Sequence, residues 1–163
     1  MASLIEELLT TLTTQHQLYE EMLILSEEKL STIKNNDINL LQQITAAETA
    51  IIGKNQRLET KRVDLVKNIG IVLNKSPGEL TLTNIAEIIN SNVESKEILA
   101  LRDKLKITLE ALKEKNEQNK LLIQSSLDYI DFSVNLLRDQ GDNPYAFGQN
   151  TLQNGKNFFD AKQ

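Results

Sequence analysis

Cysteine is absent from these 163 residues, which removes disulfides, thiolate nucleophiles and thiolate metal ligands together. Tryptophan is absent too and aromatics reach only 4%, so leucine and isoleucine carry most of the hydrophobicity. Two prolines and six glycines leave long helices unbroken. No apolar run approaches the ~18 residues that would span a bilayer, so no membrane insertion is expected. Basic residues are scattered and the net charge is −5. A nucleic-acid backbone requires a concentrated basic patch, so nucleic acid is not an expected partner. The opening Met1-Ala2-Ser3-Leu4-Ile5-Glu6-Glu7 lacks a basic region and meets two acids at once, unlike a secretory signal. A soluble, cytoplasmic protein is predicted.

The missing chemistry is equally informative. His16 is the only histidine, and with no second one and no cysteine a metal site is incomplete; it reads as a satisfied core or rim histidine. The glycines form no phosphate-cradling loop. Glu20-Glu21 and Glu27-Glu28 are acidic pairs that read as the solvated face of a helix. Neither an enzyme nor a cofactor is expected.

The remainder, 40% apolar and 25% charged, has the balance of a soluble domain with a core. Ser3 with Glu6 predicts a capping box opening a first helix. From there Ile5, Leu9, Leu12, His16, Tyr19, Leu23, Ser26, Leu30 and Ile33 alternate steps of four and three, the seam of a helix packed nearly parallel to others. That helix runs to about Lys34. Asn35-Asn36-Asp37 is a turn too short for anything but an antiparallel neighbour, with Asp37 as the next N-cap. The second seam is Leu41, Ile44, Glu48, Ile51, Asn55, Leu58, Arg62, Leu65, Ile69 and Val72. Within it Glu48, Asn55 and Arg62 form a polar core layer of the kind that fixes register; Glu48 could pair with Arg62 through the bundle, a structural layer being expected over a ligand site.

Gly70 weakens the end of the second helix and Asn74-Lys75-Ser76-Pro77-Gly78 breaks it. Leu80 to Ile89 predicts a short helix, capped by Thr81 or Thr83, that plugs the open end of the bundle with Leu82, Ile85 and Ile89. Ser91 with Glu94 makes a second capping box, and the last helix continues to about Asp139. The fold class is therefore all-α: an antiparallel bundle of three long helices plus one short helix, with coiled-coil-like packing. At 1.5 Å per residue the long helices measure about 48, 55 and 70 Å, so the end of the last one should project.

That same end carries too much apolar surface. On a helical wheel Ile123, Leu127, Ile130, Val134 and Leu137 share one stripe, and Leu121, Leu122, Tyr129, Phe132 and Leu136 share a second. Gln124, Asp128, Asp131, Asn135 and Arg138 form only a narrow polar strip. An ordinary surface helix buries one stripe about 100° wide; here the apolar arc is about twice that. Its own bundle, a homodimer seam or a partner's helix would each supply a cover. After Gly141 the helical period stops, dividing the chain into a bundle over 1–140 and a flexible, disordered tail over 141–163. Four of the seven aromatics nevertheless lie in that tail: Tyr145, Phe147, Phe158 and Phe159. They are candidate anchors for folding upon binding.

Asn116-Glu117-Gln118-Asn119-Lys120-Leu121-Leu122-Ile123, followed by Leu127, Ile130 and Leu137, resembles the C-terminal helix of the FlgN family of flagellar export chaperones. Asn36-Asp37-Ile38-Asn39-Leu40-Leu41 is similar to the family's turn into its second helix, where Glu48 and Arg62 fall at positions commonly acidic and basic. Leu80 to Ile89 resembles its short third helix. The resemblance spans about residues 4 to 139. It implies a helical-bundle chaperone that binds the C-terminal helices of hook-associated proteins 1 and 3, prevents their premature assembly and presents them to the cytoplasmic ring of the export gate. Leu122, Ile123, Tyr129, Ile130, Phe132 and Leu136 are the candidate client-binding residues. The family's gate-docking tyrosine is matched by Tyr145, although Ala146-Phe147-Gly148 departs from the Tyr-Gly-x-x-Gly pattern. A self-associating helical scaffold is the alternative.

Overall fold

The computed structural model describes residues 1–89 and 91–142, with the backbone alone for Pro77 and 139–142. Four α-helices follow in order: α1 (Ala2–Lys34), α2 (Ile38–Leu73), α3 (Leu82–Ile88) and α4 (Asn92–Asp142), with one 3-10 turn at Pro77–Glu79. No strand occurs among the described residues. This is the all-α bundle of three long helices and one short one. No helix among the described residues is long and apolar enough to cross a membrane.

The turns follow from asparagine and aspartate. Among the described residues Asn36 and Asn74 are the two non-glycine residues at positive φ, 55° and 53°. Asparagine tolerates the left-handed region that a helix needs in order to reverse its last turn. After Asn36 the Asp37 amide reaches back to the Thr32 carbonyl at 3.2 Å, and after Asn74 the Lys75 amide reaches the Gly70 carbonyl at 2.9 Å. Both chain reversals thus satisfy carbonyls that the helix end would otherwise leave free. Asp37 then caps α2 by accepting the Leu40 amide at 3.0 Å. Thr81 caps α3 through the Asn84 amide at 3.2 Å, and Ser91 accepts the Glu94 amide at 3.4 Å as α4 begins. The box predicted at Ser3 and Glu6 does not cap α1. That helix starts at Ala2 with Met1 at its N-cap and no side-chain cap, so Ser3 already lies inside the first turn.

Residues Met1–Leu122 form one compact unit; a second begins at Ile123, inside α4. In the first unit α2 runs antiparallel to α1, with Gln15 bonded to Glu59 and Lys29 to Glu48. Along α4 the pairings rise together with α1, His16 with Thr108 and Asn119 with Ser26, so the third long helix is parallel to the first. One end of this unit is dry. Ile5, Leu8 and Leu12 of α1 meet Val66 and Ile69 of α2, and Leu80, Ile85 and Ile98 close over them. Leu82 and Ile89 pack against that cluster, the plug predicted for the short helix.

Gly70 belongs to this end for a steric reason. A Cβ there would stand 2.9 Å from the Lys75 carbonyl oxygen and 3.1 Å from Leu80 Cδ1. Only glycine lets the chain fold back so closely over α2. Val72, placed on the seam by the alternating count, is exposed instead. A strict seven-residue line drifts about 20° per heptad on a straight helix. By Val72 the line from Ile44 has left the inner face, which passes to Val66, Ile69 and half-buried Leu73.

Candidate interaction surface

α4 continues without interruption through Leu121–Leu137, because nothing there disfavours a helix: no proline, no glycine, and only Ile123, Ile130 and Val134 branched at Cβ. Serine at 126 and 133 keeps one line small, and Ser133 Oγ donates to its own helix at the Tyr129 carbonyl, 2.9 Å away. The apolar surplus stands in solvent. Tyr129 is 71% exposed, Leu137 68%, Ile130 54% and Phe132 49%, with Ile123, Leu127, Val134 and Leu136 also exposed. Burying such a side chain fully is favourable by about 1.5–3 kcal/mol, so a contiguous group left open is characteristic of a binding face.

The six client-binding candidates do not share one face. At about 100° per residue Leu122, Tyr129, Phe132 and Leu136 gather on one stripe, while Ile123 and Ile130 lie about a third of a turn further round the helix. Leu122 is half-buried and the other five are exposed. Leu127, Val134 and Leu137 extend the Ile123 stripe, and Leu121 flanks the other. Gln124 and Asp128 are bonded to each other along the polar strip at 3.1 Å. Tyr145 lies outside the described residues.

The polar layer assigned to α2 separates into distinct contacts. Glu48 is buried and binds Lys29 Nζ of α1 at 2.8 Å. Arg62 donates through Nε to Glu59 Oε2 at 2.8 Å, one turn earlier on its own helix, and Glu59 also accepts from Gln15 Nε2 at 3.1 Å. The pairing of Glu48 with Arg62 does not form. Fourteen residues of one helix place them about 21 Å apart. Asn55 is half-buried, and its Oδ1 is buried without a protein donor. Hydrogen bonding from Arg62 holds the Glu59 carboxyl below the usual range, while Glu59 raises the Arg62 guanidinium further. Burial, and then the nearby Glu59 charge, push the Tyr19 hydroxyl up.

His16 shares a hydrogen bond with Thr108 Oγ1 at 3.1 Å and lies 3.7 Å from Glu20, tying α1 to α4. Among the described residues no three His, Asp or Glu side chains are grouped to hold a metal ion. The Gln15–Glu59–Arg62 contact was missed in the sequence, where Gln15 lies one place off the seam. Its signal is the turn at Asn35–Asp37, from which Gln15 and Glu59 are nearly equidistant.

Neither a curated protein nor a solved structure matches the chain. A family model described as FlgN protein matches residues 1–152, almost the whole sequence and all of the described helices. The chain therefore belongs to the FlgN family, whose members are flagellar export chaperones rather than enzymes.

Proposed function

We propose that this protein is a cytoplasmic chaperone for the hook–filament junction proteins, hook-associated proteins 1 and 3. It binds their C-terminal helices, keeps them from assembling early and hands them to the cytoplasmic ring of the flagellar type III export gate. The observation that carries this reading is the exposed apolar surface of α4 between Leu121 and Leu137. Amphipathic helices that polymerise in the finished structure need their apolar face covered before export. A helix offering Leu122, Tyr129, Phe132 and Leu136 on one side and Ile123 and Ile130 on the other covers such a face by the helix-in-groove mode. The affinity is moderate by necessity, since the client has to leave at the gate. Tyr145 is the gate contact in this reading.

The test is retention of purified junction-protein C-terminal segments by the full chain. Tyr129→Asp with Phe132→Asp should reduce retention at least about a hundredfold, because two anchors are lost and two charges face an apolar partner. Unchanged retention removes the proposed surface. A second reading is self-association, favoured by the seven-residue spacing of Leu122, Tyr129 and Leu136 alongside Ile123, Ile130 and Leu137, as in a coiled-coil seam. A tight dimer in sedimentation that those two substitutions dissociate, with no client retained by the wild type, selects it.

A further inference from the structure

An open groove of ≈ 440 Å³ lies between α3 and α4 within the first compact unit, and none of its lining residues is among those assigned to client binding. Its floor is apolar: Leu82 from α3 with Leu105 and Leu109 from α4. Leu109 is exposed, although the cluster beneath Leu82 and Leu105 is dry. The rim is charged, with Arg102, Lys106 and Lys113 against the single acid Glu110.

These cations are not equivalent. Arg102 is committed to holding the groove together, since Nη1 donates to Thr83 Oγ1 of α3 at 2.8 Å and Nε to Asp103 Oδ1 at 2.9 Å. Lys106 and Lys113 have no carboxylate within ion-pair distance among the described residues. They stand seven residues apart, two turns or about 10 Å along one side of α4, with Glu110 between them. A basic edge beside an apolar floor is unexpected on a chain of net charge −5.

We propose that this groove docks an acidic amphipathic helix of a partner protein. The groove extends from Arg102 to Lys113, which is about 16 Å and matches three turns of a second helix. The occupant places an apolar stripe on Leu82, Leu105 and Leu109. It carries carboxylates two turns apart against Lys106 and Lys113, and a neutral or basic residue opposite Glu110. Charges at such a rim select the partner and its register, while the apolar floor supplies most of the attraction. The groove shares no residue with the six client-binding candidates and does not rest on the client assignment.

The test is fluorescence polarisation of the full chain with two labelled helical peptides of about three turns. Both carry leucines at helical spacing; one has glutamates two turns apart on the flank and the other has lysines there. The acidic peptide should bind saturably and at least about tenfold more tightly than the basic one. Lys106→Glu with Lys113→Glu should reverse that preference, and Leu109→Asp should abolish binding of both peptides. All three side chains are exposed, so circular dichroism should show the helices intact; should Leu109→Asp unfold, the charge reversal decides alone. Equal binding of the two peptides overturns the proposal, as does a preference that survives the reversal. So does binding lost only with Tyr129→Asp and Phe132→Asp, which assigns the peptide to the end of α4. A free chain that sediments as a dimer and is dissociated by Leu109→Asp gives the groove to a second copy, and likewise ends it.

Discussion

The two ends of the unit Met1–Leu122 are built from different chemistry although the same helices pass through both. Near Ile5 the interior is a continuous apolar cluster joining α1, α2, α3 and α4. Near Ser26 apolar and polar layers alternate. Ile44, Ile51 and Leu112 are buried there, but so are Ser26, Thr32, Glu48 and Asn119. Ser26 Oγ donates to Asn116 Oδ1 at 3.2 Å and Asn119 Nδ2 donates to the Ser26 carbonyl at 2.9 Å. Asn119 Oδ1 is buried without a protein donor. Burial of aliphatic groups is non-directional and supplies most of the stability, whereas a buried polar pair roughly cancels its own desolvation and specifies alignment instead. The dry end therefore holds the unit together, and the polar end sets which residues of α1, α2 and α4 stand opposite one another.

The largest effect should come from the dry end. Ile5 is fully buried, with Leu8, Val66 and Ile98 in the same cluster. Ile5→Ala should lower unfolding free energy by about 2–5 kcal/mol, read from the urea midpoint at constant slope. A loss under about 1 kcal/mol would mean that this cluster is not the anchor.

A smaller effect should come from the polar end. Lys29→Met leaves Glu48 with little solvent and no counter-ion, and should cost about 1–2 kcal/mol, reduced from the fully buried case because both side chains keep some access to water. Adding Glu48→Leu should recover most of that loss, since two apolar groups then replace a desolvated pair. A double variant as weak as the single one would show that the pair contributes net stability and that the contrast between the ends is false.

Much of this architecture was legible because helix signals are local. Asp37, Thr81 and Ser91 announced their helix starts, Asn74 marked the end of α2, and the short α3 was assigned its plugging residues. The apolar stripes past Leu121 were visible because no partner residue is needed to count them. What failed needed information from elsewhere in space or over a longer range. Val72 was lost to the drift of a seven-residue line, and Ser3 to a helix that begins two residues sooner. Glu48 was matched with Arg62 by charge alone, while the turn at Asn35–Asp37 brings Lys29 within reach. The groove beside Leu109 was illegible, because it exists only where α3 is drawn against α4 by Arg102 and Thr83.

The smallest expected effect lies midway between the ends, at Glu59. Its carboxyl accepts from Arg62 and from Gln15, and together these outweigh burial to hold it below its usual 4.5. A depressed folded value means that the unfolded chain takes up the proton first as pH falls. The stabilisation is therefore complete above the unfolded value and disappears as pH drops through the folded one. Glu59 is about half exposed, so solvent screening limits the gain to roughly a few tenths of a kcal/mol. Glu59→Gln should accordingly be slightly less stable than wild type in urea at neutral pH, and the two midpoints should converge in acid. If the gap stays constant from neutral to acid, the contact acts by shape and neutral hydrogen bonding. The middle layer would then belong with the apolar end, leaving charge to matter only around Lys29 and Glu48.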